Sequence, residues 1–186
     1  MFLKRQDPYQ LVVSMTGVKL GDRVLQIGCA HGGRLAAVAA KVGLSGGAVA
    51  AVPDEASAAR ARKGAADAGV LVEIEIAPPT RLPFAEQSFD LAVVDDTAGL
   101  LGAMGPEDRV ATIRETARVV KAGGRAIVVG SAPRGGLGKL FSGGETTSTF
   151  TASGDANKAL QADGFKSVRT LAEREGLVFI EGVKPR

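Results

Sequence analysis

The sequence predicts an α/β protein built on a doubly wound, mostly parallel β-sheet with helices on both faces, and three observations predict it. Short apolar runs alternate with amphipathic or Ala-rich stretches in the rhythm strand, helix, strand, which implies parallel strands joined by right-handed crossovers. The first apolar run passes directly into a glycine-rich turn and a helix, VLQIGCAHGG from Val24 to Gly33. The chain closes on two consecutive strand-like runs joined by a few residues, which must pair as an antiparallel hairpin.

Taken in order, Pro8 to Val18 reads as a short amphipathic helix, and Lys19-Leu20-Gly21-Asp22 is a turn feeding the first strand, Arg23 to Ile27. Leu35 to Val42 is helical, Ala48 to Val52 a buried strand, Glu55 to Ala68 an Ala-rich helix, Val70 to Ile76 a strand and Phe89 to Val94 another. Pro106 opens a helix through Val120, where its missing N–H costs nothing. Lys121-Ala122-Gly123-Gly124 ends that helix with glycines able to take a left-handed cap, and Arg125 to Val129 is the fifth strand. From Ser131 to Gly154 the pattern breaks into Gly, Ser and Thr, a functional rim or a mobile segment that includes the run Leu140 to Phe150. Asp155 to Asp163 is a helix, Phe165 to Leu171 and Leu177 to Val183 the closing strands, with a turn around Glu173 to Gly176.

A chain of 186 residues, 45% of them hydrophobic, is long enough for one real core and too short for two ordinary domains, so residues 1–186 read as one domain. Its parts are an N-terminal helix (1–19), a ligand-binding half (20–130), a loop (131–154) and a helix with the terminal hairpin (155–186). The formal net charge of +3 is spread along the chain without a block of like sign, and Trp is absent with a single Tyr, so neither the electrostatic footprint nor the stacking platforms of a nucleic-acid binder are present. The lone cysteine, Cys29, excludes an internal disulfide. No apolar core follows the charges of the N-terminus and no aliphatic run approaches the roughly 20 residues of a membrane helix, so a cytoplasmic location is expected. No Cys/His spacing suggests a metal site.

Three linked stretches, VLQIGCAHGG, RLPFAEQSFDLAVV (Arg81 to Val94) and RETARVVKAGGRAIVV (Arg114 to Val129), together with the closing hairpin, resemble the class I S-adenosylmethionine-dependent methyltransferases. The resemblance covers about Leu20 to Val183 and lies nearest the small-molecule branch that includes ubiquinone and menaquinone biosynthesis enzymes. It implies a Rossmann-like, three-layer α/β/α fold whose seven-stranded sheet has six parallel strands and one antiparallel strand. It also implies a cofactor, S-adenosylmethionine, lying across the carboxyl ends of the first strands. The crevice would then be lined by Gly28, Cys29, Ala30, His31 and Gly32, by Val52 to Glu55, by Pro78, Pro79 and the residues up to Leu82, and by Asp95 to Thr97.

The family places acids at three points that this chain has changed. Gln26 stands where the first strand carries the Asp or Glu that organises the loop and the cofactor's amino group. Pro53 replaces the carboxylate that accepts from both ribose hydroxyls, and Pro78 the Asp that meets the adenine amine. Ala30 takes the second Gly of the family's G-x-G-x-G, a small change where φ is ordinary and a serious one where it is positive. Hydrogen bonds to charged groups contribute roughly 1.5–3 kcal/mol each, so two lost carboxylates cost about 3–6 kcal/mol. That is roughly a 10²–10⁴-fold loss of affinity. Asp54, one residue past Pro53, can either cap the helix opening at Glu55 or reach the ribose.

Asp95 and Asp96 follow the fourth strand directly, where a carboxylate serves as a general base or polar orienter, or else makes turn and capping contacts. His31, the only histidine, sits in the glycine loop, where an imidazole is a candidate for a direct role. Cys29, Phe84 and Phe89 are expected to pack, and Asp90 to anchor the start of its strand. Three functions are compatible with these residues. One is methyl transfer to a small molecule. A second is a cofactor-less descendant acting as a subunit or regulatory partner, in a hetero- or homo-oligomer. The third is binding of another nucleotide-like or anionic ligand, for which Arg34 in the first turn of a helix is suited and which Gly28-x-Ala30-x-x-Gly33 loosely matches.

Overall fold

A seven-stranded sheet in the order β3-β2-β1-β4-β5-β7-β6 forms the centre of the computed structural model, which describes residues 7–132 and 150–186. The elements are α1 (Gln10–Thr16), β1 (Arg23–Ile27), α2 (Gly32–Val42), β2 (Gly47–Val52), α3 (Glu55–Ala68), β3 (Glu73–Ile76), β4 (Phe89–Asp96), α4 (Pro106–Val119), β5 (Val120–Ser131), α5 (Asp155–Ala162), β6 (Lys166–Arg174) and β7 (Leu177–Val183). β1 to β5 pair in parallel with one another, and β7 is antiparallel to both β5 and β6. The hairpin turns through Glu175 and Gly176 at φ of 54° and 74°, the two-positive form whose twist suits adjoining antiparallel strands.

Apolar residues fill both sides of the central strands, as parallel sheets require. Leu25, Ile27, Val94 and Val128 meet Ile113 of α4 and Leu160 of α5 on one face. Val24, Leu91, Val93 and Ile127 meet Val12 of α1 and Val38 and Val42 of α2 on the other. Asp90 ties three strands together at their amino ends, accepting from the Arg23 N–H at 2.8 Å and the Lys121 ammonium at 2.7 Å. Phe89 is fully buried, with Phe84 against it edge to face at 5.2 Å.

Some boundaries differ from expectation. Lys121 to Gly124 lies within β5 and does not cap α4. Val119 and Val120 are fully buried, and the Lys184 ammonium donates to the carbonyls of Ala117 at 2.7 Å and Val120 at 2.8 Å, so the end of α4 needs no glycine cap. Gly123, at φ 76°, serves instead a bulge where the register shifts between Phe89 and Leu91. β3 starts at Glu73, not Val70, because Val70 and Gly69 donate back to Ala65 and Ala66 and close α3 in a left-handed cap. α2 starts at Gly32, three residues ahead of Leu35. Of the expected rim at Ser131 to Gly154, residues 133–149 lie outside the described residues, as do residues 1–6.

Candidate active site

Strand order reverses at β1, whose neighbours are β2 and β4, and the glycine loop leaves β1 at this switch point. Gly28 holds φ at 79° and gives its N–H to Ala51 at 2.8 Å, extending the ladder by one bond. A side chain at Gly28 would be strained and would meet Leu100 Cδ2 at 2.9 Å. Ala30, by contrast, is not among the described non-glycine residues with positive φ, so the methyl group that departs from the family pattern sits on ordinary backbone. α2 then packs so closely on α3 that a Cβ at Gly32 would lie 2.1 Å from the Arg60 carbonyl oxygen.

The buried Gln26 donates Nε2 to the Gly28 carbonyl at 3.0 Å. Cys29 is buried, its thiol pushed up to about 11 chiefly by that burial, and its carbonyl accepts from Arg60 Nε at 2.9 Å. His31 is exposed at the N-cap position of α2 without a side-chain cap, and its ring lies 5.5 Å from that of Tyr9. A cavity of about 590 Å³ opens beside them, lined by Ala30, His31 and Gly33 of the loop and first turn together with Ala36 and Ala40 of α2 and Lys63 of α3.

At the end of β2, Pro53 and Asp54 are exposed. Asp54 caps α3, accepting from the Ser57 N–H at 2.7 Å, and this bond holds its carboxyl below the usual range. Pro78 is exposed and Pro79 buried beyond the end of β3. Asp95 and Asp96 are both buried and engaged. Asp95 Oδ2 accepts from the Ala30 N–H at 2.9 Å, and its Oδ1 accepts from the Thr97 hydroxyl at 2.5 Å and N–H at 3.2 Å. Asp96 Oδ1 accepts from the N–H of Leu101 at 2.7 Å and its Oδ2 from the Thr151 hydroxyl at 2.7 Å; burial pushes its pKa up. Arg34 donates Nη2 to Thr97 Oγ1 at 2.7 Å, while its buried Nε has no partner.

Residues 24–124, more than half of the chain, match the family model described as a methyltransferase domain. The chain belongs to the methyltransferase family. No curated protein matches this methyltransferase in sequence. A SAM-dependent methyltransferase from Aquifex aeolicus has a similar structure, at a TM-score of 0.73 and 17% identity over 95% of this chain and 93% of that one. A SAM-dependent O-methyltransferase from Thermotoga maritima superposes at 0.70 with 20% identity, over 96% of this chain and 64% of that one. The [4+2]-cyclase SpnF superposes at 0.71 with 19% identity, over 95% of this chain and 79% of that one. The fold is therefore the class I, Rossmann-like methyltransferase fold, with S-adenosylmethionine as the family's cofactor.

The residues of this methyltransferase fit that cofactor. A cofactor lying over Gly28 would meet no Cβ there, and what covers the glycine is the end of the Leu100 side chain. The loop, Asp54 and the Asp95-Asp96 pair are the parts of the site that the motifs point to. Thr97 falls within the expected Asp95 to Thr97 lining, and an Asp two residues before a Thr readily forms an Asx turn. Arg60, Leu100 and Thr151 were not legible in the motifs, because they touch the site only through tertiary packing. Among the described residues no group of three or more His, Cys, Asp or Glu could hold a metal, and no helix is long and apolar enough to cross a membrane.

Proposed function

We propose that this protein transfers a methyl group from S-adenosylmethionine to a small molecule, with the cofactor lying over Gly28 and between the ends of β2 and β3. The observation that carries the reading is the strand-to-helix glycine loop at the sheet's switch point, with Gly28 at φ 79°. The bound cofactor supplies a methyl group on a sulfonium, open to backside displacement. The chain's tasks are then to hold the acceptor in line and to keep water out.

Gly28, Cys29, Ala30 and Gly32 offer backbone to the amino-acid end, with Gln26 and Asp95 behind them. Asp54 stands on the ribose side, and its cap role and a ribose contact are compatible, since a carboxylate has two oxygens. Pro53, Pro78 and Pro79 give the adenine side an apolar wall. An acceptor that must lose a proton finds His31 exposed at the mouth, whereas both oxygens of Asp95 and of Asp96 already accept protein donors. Arg34, suited by sequence to an anionic ligand, is engaged by Thr97.

Calorimetric titration with S-adenosylmethionine and S-adenosylhomocysteine tests the reading. Micromolar binding supports it, and silence at millimolar ligand sinks it. Asp54→Asn keeps the cap geometry but loses the charge, so weaker binding at unchanged melting temperature assigns Asp54 to the ribose.

A further inference from the structure

The family's acid is missing from β1, yet the glycine loop is held by a carboxylate from the adjacent strand. The register pairs Ile27 with Val94, which brings Asp95 level with Gly28. From there Asp95 reaches the Ala30 N–H at 2.9 Å. Arg34 Nη2 donates to Thr97 Oγ1 at 2.7 Å, and that hydroxyl donates to Asp95 Oδ1 at 2.5 Å, so the first turn of α2 is tied back to the loop that precedes it. Gln26 serves a second polar group of the loop, its amide donating to the Gly28 carbonyl at 3.0 Å, which an ionised carboxylate at that position could not do.

We propose that Asp95 is a positioning residue that has taken over, from β4, the loop-organising work of the absent β1 acid, with Gln26 as its neutral complement and the Arg34–Thr97 pair fixing its rotamer. The Ala30 N–H and the Gly28 carbonyl are thus held by two side chains on neighbouring strands, while the Cys29 carbonyl accepts from Arg60 of α3. The affinity of the loop for the cofactor then depends on the Asp95 carboxylate, although Asp95 neither accepts a substrate proton nor touches the acceptor. The part concerning affinity rests on the methyltransferase reading above; the part concerning the loop does not.

Two measurements separate them. By NMR-detected hydrogen exchange of the ligand-free protein, the Ala30 amide is expected to exchange about tenfold faster in Asp95→Asn than in the wild type, because a neutral amide replaces the charged acceptor and its single oxygen cannot serve both the Ala30 and the Thr97 donors. Thr97→Val, which keeps the carboxylate but frees its rotamer, is expected to shift exchange in the same direction by less, and stands in if Asp95→Asn does not fold. Unchanged Ala30 exchange in both variants overturns the proposal. In titrations with S-adenosylhomocysteine, Asp95→Asn is expected to bind about tenfold more weakly or worse. A wild-type protein that binds while Asp95→Asn binds equally well overturns the positioning role. Silence of the wild type at millimolar ligand overturns the cofactor reading instead, and the exchange result then decides the loop role alone.

Discussion

Thr151 donates its hydroxyl to Asp96 at 2.7 Å, and the contact exists because Gly130 on β5 has no side chain: a Cβ there would lie 2.3 Å from Thr151 Cβ. The bond joins the end of β4 to the segment entering α5, 55 residues away in sequence. Beside it, the Arg109 guanidinium lies 4.4 Å from the centre of the Phe150 ring and donates to the carbonyls of Leu101 and Met104.

Asp96→Asn is expected to fold, because an amide oxygen accepts from Leu101 as a carboxylate does and the Thr151 hydroxyl can turn to accept. Asp96→Ala leaves these donors buried without a partner and is expected to lose about 1–3 kcal/mol. Burial raises the pKa of Asp96 in the folded state. Its contribution to stability is therefore fullest below the unfolded pKa and declines as the pH rises through the folded one. Thermal melts between about pH 4 and 7 are expected to show Asp96→Asn gaining on the wild type as the pH rises; a gap that narrows in that direction contradicts the assignment.

At Gly32 the neighbour is backbone, the Arg60 carbonyl at 2.1 Å from a built Cβ, so relief requires the helices to move apart. Gly32→Ala is expected to cost about 1–3 kcal/mol or more in urea unfolding. Gly47→Ala, with nothing within 4 Å of a Cβ, is the control and should differ little from the wild type.

Cys29 should be chemically quiet. A thiol raised from 9.0 to about 11 has about 100-fold less thiolate near neutral pH, and the side chain is 3% exposed besides. Iodoacetamide at about pH 8 is expected to modify it at least about 100-fold more slowly in the native protein than in guanidinium. Rapid native alkylation would show that the loop opens.

Glu181 is buried between Arg125, at 3.2 Å, and Arg169, at 2.9 Å. Because the Arg169 side chain is 69% exposed, Glu181→Gln is expected to cost about 1–3 kcal/mol, less than the roughly 3–5 kcal/mol for breaking a fully buried pair. Arg125 also donates to the Gly17 carbonyl at 2.9 Å, so amide exchange in α1 should rise in this variant before that of β4.

Local chemistry made much of this protein readable. The strands of the central sheet are apolar on both faces and punctuated by Gly, Pro and Asp, so their positions and the terminal hairpin follow from pattern alone. Gly123 and Gly124 show where pattern stops. Glycines after a helix signal a cap, yet the buried pairing of Val120 with Phe89 and the Lys184 ammonium on the helix's last carbonyls placed them in a bulged strand. The same division runs through the site. The glycine loop is visible in the letters, and the family resemblance implies that Gln26, Pro53 and Pro78 stand at positions where relatives carry acids.

The sequence by itself determined the α/β class, the order of the elements and the place of the glycine loop, because each depends on residues near one another along the chain. Only the tertiary structure decided what holds the glycine loop, since Asp95 meets Ala30 across 65 residues and Arg34 meets Thr97 across 63. Such contacts depend on strand register and side-chain reach, and neither is encoded in any one stretch of sequence.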